Sequence, residues 1–130
     1  MARVLVVEDD KDLCGLIRRR LERAGHTVEE AASGEGALRL LGERQYDLVT
    51  MDIHLPGISG WHLARKVKSE LKSAHLPILV ISVEGREDTP EDVKVEGWLA
   101  KPFERADLAR SVEEALARSD AEASMREERS

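Results

Sequence analysis

Four polar stations in this chain each follow directly on a short apolar run. Glu8-Asp9-Asp10 follows Val4-Leu5-Val6-Val7, Asp52 follows Leu48-Val49-Thr50-Met51, Ser82 follows Ile78-Leu79-Val80-Ile81, and Lys101 follows Trp98-Leu99-Ala100. If the runs are strands of one parallel sheet, their carboxyl ends converge on one crevice, where open α/β sheets bind ligands. Glu8, Asp9 and Asp52 would then face Lys101, and Asp10 reads as the N-cap of a following helix. Three carboxylates against one ammonium leave the crevice negative, and their mutual repulsion calls for a cation. Mg²⁺ suits such a site, because it takes oxygen ligands and is held by one or two carboxylates plus a phosphate oxygen. Zinc does not suit it, since the chain has a single cysteine and no histidine cluster. Beside a metal, a carboxylate is a competent nucleophile toward phosphorus and forms an aspartyl phosphate. Asp52 is the candidate, standing alone at its strand end before the loop Ile53-His54-Leu55-Pro56-Gly57. Lys101 and Ser82 could each contact an equatorial phosphoryl oxygen.

Positioning these groups requires alternating strands and helices. Short apolar runs rich in β-branched residues occupy 4–7, 48–51 and 78–81, joined by 27–31 in weak alternation and the brief 98–100. Between them, residues recur at three or four: Leu13, Leu16, Ile17, Leu21 and Ala24 up to Gly25; Ala37, Leu38 and Leu41 up to Gly42, with Ser33 as N-cap; Leu63, Ala64, Val67 and Leu71; and Leu108, Val112, Ala115 and Leu116. Gly57 and Gly60 suit a turn and the start of the third helix. The unbroken apolar character of the first and fourth runs says that both strand faces are covered, so the pattern predicts a doubly wound α/β fold with a five-stranded parallel sheet. Only four helices are well supported. The stretch 83–92 is acidic, holds Gly85 and Pro90, and has no apolar stripe, so any helix there is short or degenerate.

With 130 residues, the chain is predicted to form one domain over 1–118, followed by a polar tail over 119–130. The tail carries Asp120, Glu122, Glu127 and Glu128 against Arg126 and Arg129, and reads as a frayed helical extension or a disordered segment. Hydrophobic residues at 42% and charged residues at 35% can fill a core and solvate a surface. A net charge of −6 argues against nucleic acid or an anionic membrane as partner, and 3% aromatic content leaves few stacking platforms for single strands. No run is long enough to span a bilayer. The lone Cys14 cannot form an internal disulfide, which together with the missing signal-peptide pattern predicts a cytoplasmic protein. His26, His62 and His75 fall in turn or surface contexts.

The four stations and their flanking runs, completed by Asp47 before the third, Pro77 before the fourth, and Lys101-Pro102-Phe103, stand in the order and at the spacings of one family. Over about residues 2–118 the chain resembles a CheY-like receiver domain of two-component response regulators. The resemblance implies a flavodoxin-like sheet of order 2-1-3-4-5, Mg²⁺ held by Glu8, Asp9, Asp52 and the backbone carbonyl of His54, and phosphoryl transfer from a histidine kinase or phosphotransfer protein to Asp52. It also implies that Lys101 pairs with the phosphoryl group, that Ser82 is the switch hydroxyl and Trp98 the switch aromatic, and that the Lys101-Pro102 bond is cis. Output would pass to a separate downstream protein, and the domain would catalyse only its own phosphorylation and dephosphorylation.

Three features depart from the family pattern. Val83 stands where a small residue is usual and is expected to alter phosphorylation kinetics. Trp98 replaces Tyr or Phe, and its bulk is expected to bias the ring outward. The stretch 82–101 is short, which puts the ordinary output surface in question. The alternative function is accordingly a pseudo-receiver, a protein-interaction module independent of phosphate. A phosphohydrolase with an aspartyl nucleophile is a third class, but the position that commonly holds its acid, two after the nucleophile, is His54.

Overall fold

The computed structural model describes residues 1–70 and 73–129, with side chains through residue 120. Strands β1 (Arg3–Val7), β2 (Thr27–Ala31), β3 (Leu48–Met51), β4 (Ile78–Ser82) and β5 (Gly97–Ala100) alternate with helices α1 (Lys11–Arg23), α2 (Gly34–Glu43) and α3 (Gly60–Ser69), and α4 (Arg105–Arg129) follows β5. All strand pairs are parallel, in the order β2-β1-β3-β4-β5. This is the doubly wound sheet expected from the sequence. The crossover from β4 to β5 holds only one turn of 3₁₀ helix, Arg86–Asp88, as its Gly, Pro and acid content suggested.

Strand side chains alternate between faces, and the alternation sorts the core. Val4 and Val6 of β1, with Leu79 and Ile81 of β4, face Cys14, Ile17 and Leu21 of α1 and Leu108 and Val112 of α4. Leu5 and Val7, with Ile78 and Val80, face Ala37 of α2 and Leu63, Ala64 and Val67 of α3. Leu71, which the third stripe included, lies outside the described residues.

The helix starts are set by capping. Asp10 accepts hydrogen bonds from the N–H groups of Asp12 and Leu13, Ser33 from Gly36, and Ser59 from His62. Gly60 is required by proximity: a Cβ there would overlap the Asp52 carbonyl oxygen, so α3 starts tight under the Asp52 loop. Gly57 takes a positive φ of 73° at the turn just before it. The backbone of 119–129 continues α4, so the helical form of the tail is the one found. Among the described residues no helix is long and apolar enough to cross a membrane.

Candidate functional site

The carboxyl ends of β1, β3 and β5 bring four of the expected residues together. Glu8 and Asp52 are buried, at 4% and 8% exposure, while Asp9 is open to solvent. The Lys101 ammonium donates to Glu8 Oε1 and Asp52 Oδ2, each at 2.7 Å. The second oxygen of each acid takes a backbone N–H: Asp10 to Glu8 Oε2 at 3.2 Å and His54 to Asp52 Oδ1 at 3.1 Å. Both carboxylates are thus held in fixed orientation. The sheet itself anchors them, since Glu8 N–H donates to the Ala31 carbonyl and Asp52 N–H to that of Val7.

The electrostatics match the crowding. Burial pushes the Glu8 carboxyl above its ordinary range, and although Lys101 and the Asp10 N–H work against this, the charge of Asp52 adds to it. Burial opposes protonation of Lys101, yet its hydrogen bonds to Asp52 and Glu8 prevail and hold it above the usual lysine value. Oxygen atoms of Glu8, Asp9 and Asp52 all lie within 4.8 Å of one another. An all-carboxylate set of this kind suits a hard divalent cation such as Mg²⁺.

Ser82 ends β4 fully buried, and its carbonyl accepts the Lys101 N–H at 2.9 Å. Its hydroxyl accepts the Glu84 N–H at 3.2 Å. Trp98 sits inside β5, and its indole N–H donates to the Glu84 carbonyl at 2.9 Å. Trp98 is half-buried, and its ring lies against that of Trp61 of α3 with centroids 5.9 Å apart. The Lys101-Pro102 peptide is cis. Val83 is 70% exposed beside the crevice.

Sequence reasoning missed Glu84. Its carboxylate lies 2.6 Å from His54 Nε2, its N–H reaches Ser82 and its carbonyl reaches Trp98, so one loop residue touches the loop after Asp52, the hydroxyl and the aromatic. The available signal was an acid two residues beyond the strand that ends in Ser82. His26 was also misread as a turn or surface residue: it is buried at 9% exposure, with Nδ1 accepting the Ala2 N–H.

The chain is similar to known proteins over most of its length. The uncharacterized transcriptional regulatory protein YrkP of Bacillus subtilis is 40% identical over 113 residues, 82% of this chain and 46% of that protein. Protein PilH of Pseudomonas aeruginosa is 28% identical over 120 residues, 90% of this chain and 99% of that protein. The chain spans about half the length of the transcriptional regulators it matches. Among solved structures, the response regulator TrrA of Thermotoga maritima, in complex with Mg²⁺ and BeF, aligns with a TM-score of 0.80 and 29% identity over 88% of this chain and 99% of that one. The model of the response regulator receiver domain matches residues 4–113, the span that carries the whole acidic crevice and all of the sheet but Arg3, and the chain belongs to that family.

Proposed function

We propose that this chain is a phosphoacceptor of a two-component phosphorelay, taking a phosphoryl group from a histidine kinase or phosphotransfer protein onto Asp52 and switching a protein-binding surface. The observation that carries the reading is the Lys101 ammonium held 2.7 Å from both Glu8 and Asp52, with Asp9 alongside. In the reaction an Asp52 carboxylate oxygen forms a bond to phosphorus as the donor's phosphorus–nitrogen bond breaks, and the electron pair returns to the donor imidazole. The chain supplies position and charge. Asp52 is fixed from one side by the His54 N–H and from the other by Lys101, so the nucleophile is oriented before a donor arrives. Lys101 can follow negative charge from the carboxylate to the phosphoryl oxygens. Glu8, Asp9, Asp52 and the His54 carbonyl would hold Mg²⁺, which when bound offsets charge on the phosphoryl oxygens.

The Ser82 hydroxyl uses a lone pair on Glu84 N–H and keeps its proton to offer a phosphoryl oxygen. Movement of that hydroxyl toward the phosphate pulls on the Glu84 backbone, whose carbonyl holds the Trp98 indole. A local charge change is thereby passed to the ring and to the surface it shares with Trp61. The compartment is the cytoplasm, and no turnover on phosphomonoesters is expected.

A second reading rests on the crossover between β4 and β5, reduced to a single 3₁₀ turn, and on Val83 at the crevice mouth. On that reading the chain keeps the fold and a partner surface without depending on phosphate. Incubation with acetyl phosphate and Mg²⁺ followed by intact mass measurement decides between them. The phosphoacceptor reading expects one phosphoryl adduct, absent from Asp52→Asn. No adduct, even with the cognate kinase, would sink it.

A further inference from the structure

Among the described residues, two buried side-chain polar atoms have no hydrogen-bond partner: Arg20 Nη1 and His26 Nε2. Both residues line the same cleft between α1 and α4, a cavity of about 280 Å³. An unmatched buried donor is costly, and both residues that carry one border this cleft. The chemistry of both atoms is fixed. A guanidinium can only donate. His26 Nδ1 accepts the Ala2 N–H at 3.1 Å, so the hydrogen of a neutral imidazole resides on Nε2, which is also a donor.

The surroundings reinforce the demand for an anion. Arg23 and Arg105 line the cleft as well, and both are exposed. Burial pushes the Arg20 guanidinium below the usual arginine value, and the charges of Arg105, Arg23 and Arg19 add to it. One carboxylate shares the cleft: Glu113 Oε1 lies 3.4 Å from His26 Nε2, without hydrogen-bond geometry, on a side chain 68% exposed. Three guanidiniums against that single acid leave the cleft net positive, in a chain whose total charge is −6. The floor is apolar, formed by Leu21, Leu108 and Val112.

We propose that this cleft is a binding site for a dianionic oxyanion of the phosphate class, free or as an ester, held by Arg20, His26 Nε2, Arg23 and Arg105. Guanidinium forks match the oxygens of phosphate, and the excess of donors over the single Glu113 carboxylate favours a ligand that accepts. An ester would set its apolar body on the Leu108 and Val112 floor. The site stands apart from Asp52 and does not depend on its phosphorylation.

The test uses the full chain carrying Asp52→Asn, without Mg²⁺, so that the acidic crevice draws no phosphate. Inorganic phosphate and phenyl phosphate are titrated by calorimetry and melting temperature, with sodium chloride at matched ionic strength as control. Both phosphates should give saturable binding and raise the melting temperature beyond the chloride control. Phenyl phosphate binding more tightly marks an ester as the ligand; equal affinity marks the free anion. Arg20→Met, which keeps the stem and removes the charge, should weaken binding roughly tenfold or more and raise the melting temperature in anion-free buffer. Arg105→Gln, at an exposed position, should weaken it severalfold. A phosphate effect no larger than that of chloride, or undiminished affinity in both variants, would overturn the proposal.

Discussion

Two lysines each bridge buried carboxylate oxygens at opposite ends of the sheet, and their surroundings differ. At the amino ends of β4 and β5, Lys68 Nζ donates to both oxygens of Glu96, at 2.9 and 3.0 Å, and to the Leu76 carbonyl at 2.9 Å. Glu96 Oε1 also accepts the Ile78 N–H at 2.8 Å. One cation meets one anion, and all three ammonium hydrogens have acceptors. At the carboxyl ends, Lys101 also makes two 2.7 Å bonds, but it serves a cluster of three acids. The balanced pair is a closed clamp, tying α3 to the start of β5 across a crossover that lacks an α-helix. The unbalanced cluster keeps negative charge in reserve for a cation and a reaction. Charge balance, more than burial or distance, sets the two lysine sites apart.

Removing each lysine should therefore have opposite consequences. Lys68→Met leaves the Glu96 carboxylate, 4% exposed, without its counter-charge, and breaking such a pair costs about 3–5 kcal/mol. Urea unfolding should show a loss of that size, while adduct formation per folded molecule with acetyl phosphate stays unchanged. If stability is kept, the clamp reading is wrong. Lys101→Met should show the converse. The rate of adduct formation on Asp52 falls about a hundredfold, the scale of losing one preorganised charge stabiliser. Its stability loss should be smaller than that of Lys68→Met, because the crevice opens to solvent at Asp9 and the acids there can take up a cation or a proton.

The two lysines were unequally legible in the sequence, for a physical reason. Lys101, Glu8, Asp52 and Ser82 could be read because each ends or follows a short apolar strand, and parallel strands of one sheet must bring their ends together. The alternation of apolar runs and helical stripes likewise gave every strand within two residues, and the missing helix was foreshadowed by Gly85, Pro90 and the acids around them. Lys68 and Glu96 gave no such signal. Lys68 lies on α3 between Val67 and Ser69 like any surface lysine, and only the return of the chain from β4 to β5 puts Glu96 beneath it. Glu84 and His26 escaped for the same reason: their partners are distant in the chain, and a single polar residue in a turn carries no period.

The acid cluster should also betray itself through pH. The Glu8 pKa is raised on folding, chiefly by burial, so folded protein binds a proton more readily than unfolded protein. In the absence of Mg²⁺, the stability that Glu8 contributes is complete below its unfolded pKa and is lost as pH rises through the folded one. Melting temperatures measured without metal should fall across that window, and millimolar Mg²⁺ should recover the loss, by about 1–3 kcal/mol at tens of times its dissociation constant. Glu8→Gln should flatten the pH profile and abolish the Mg²⁺ effect. A profile unchanged by Glu8→Gln would show that the reserve of charge lies elsewhere.

The smallest effect is read from Cys14 on α1. Its thiol is pushed up to about 11, first by burial and then by the charges of Glu30 and Glu8. At pH 8 the thiolate is then about a hundredfold scarcer than in an unperturbed thiol, and alkylation by iodoacetamide should be slow to match. Because Glu8 is one of the charges acting on it, Mg²⁺ at the acid cluster should speed labelling slightly, by less than about twofold given the dominance of burial. Lys68→Met should accelerate labelling by another route, through more frequent unfolding, and Mg²⁺ should then slow it by stabilising the folded state. Opposite signs of the Mg²⁺ effect in the two proteins would separate the charge carried by one cluster from the stability carried by the other. The same sign in both would mean that the two clusters are not independent.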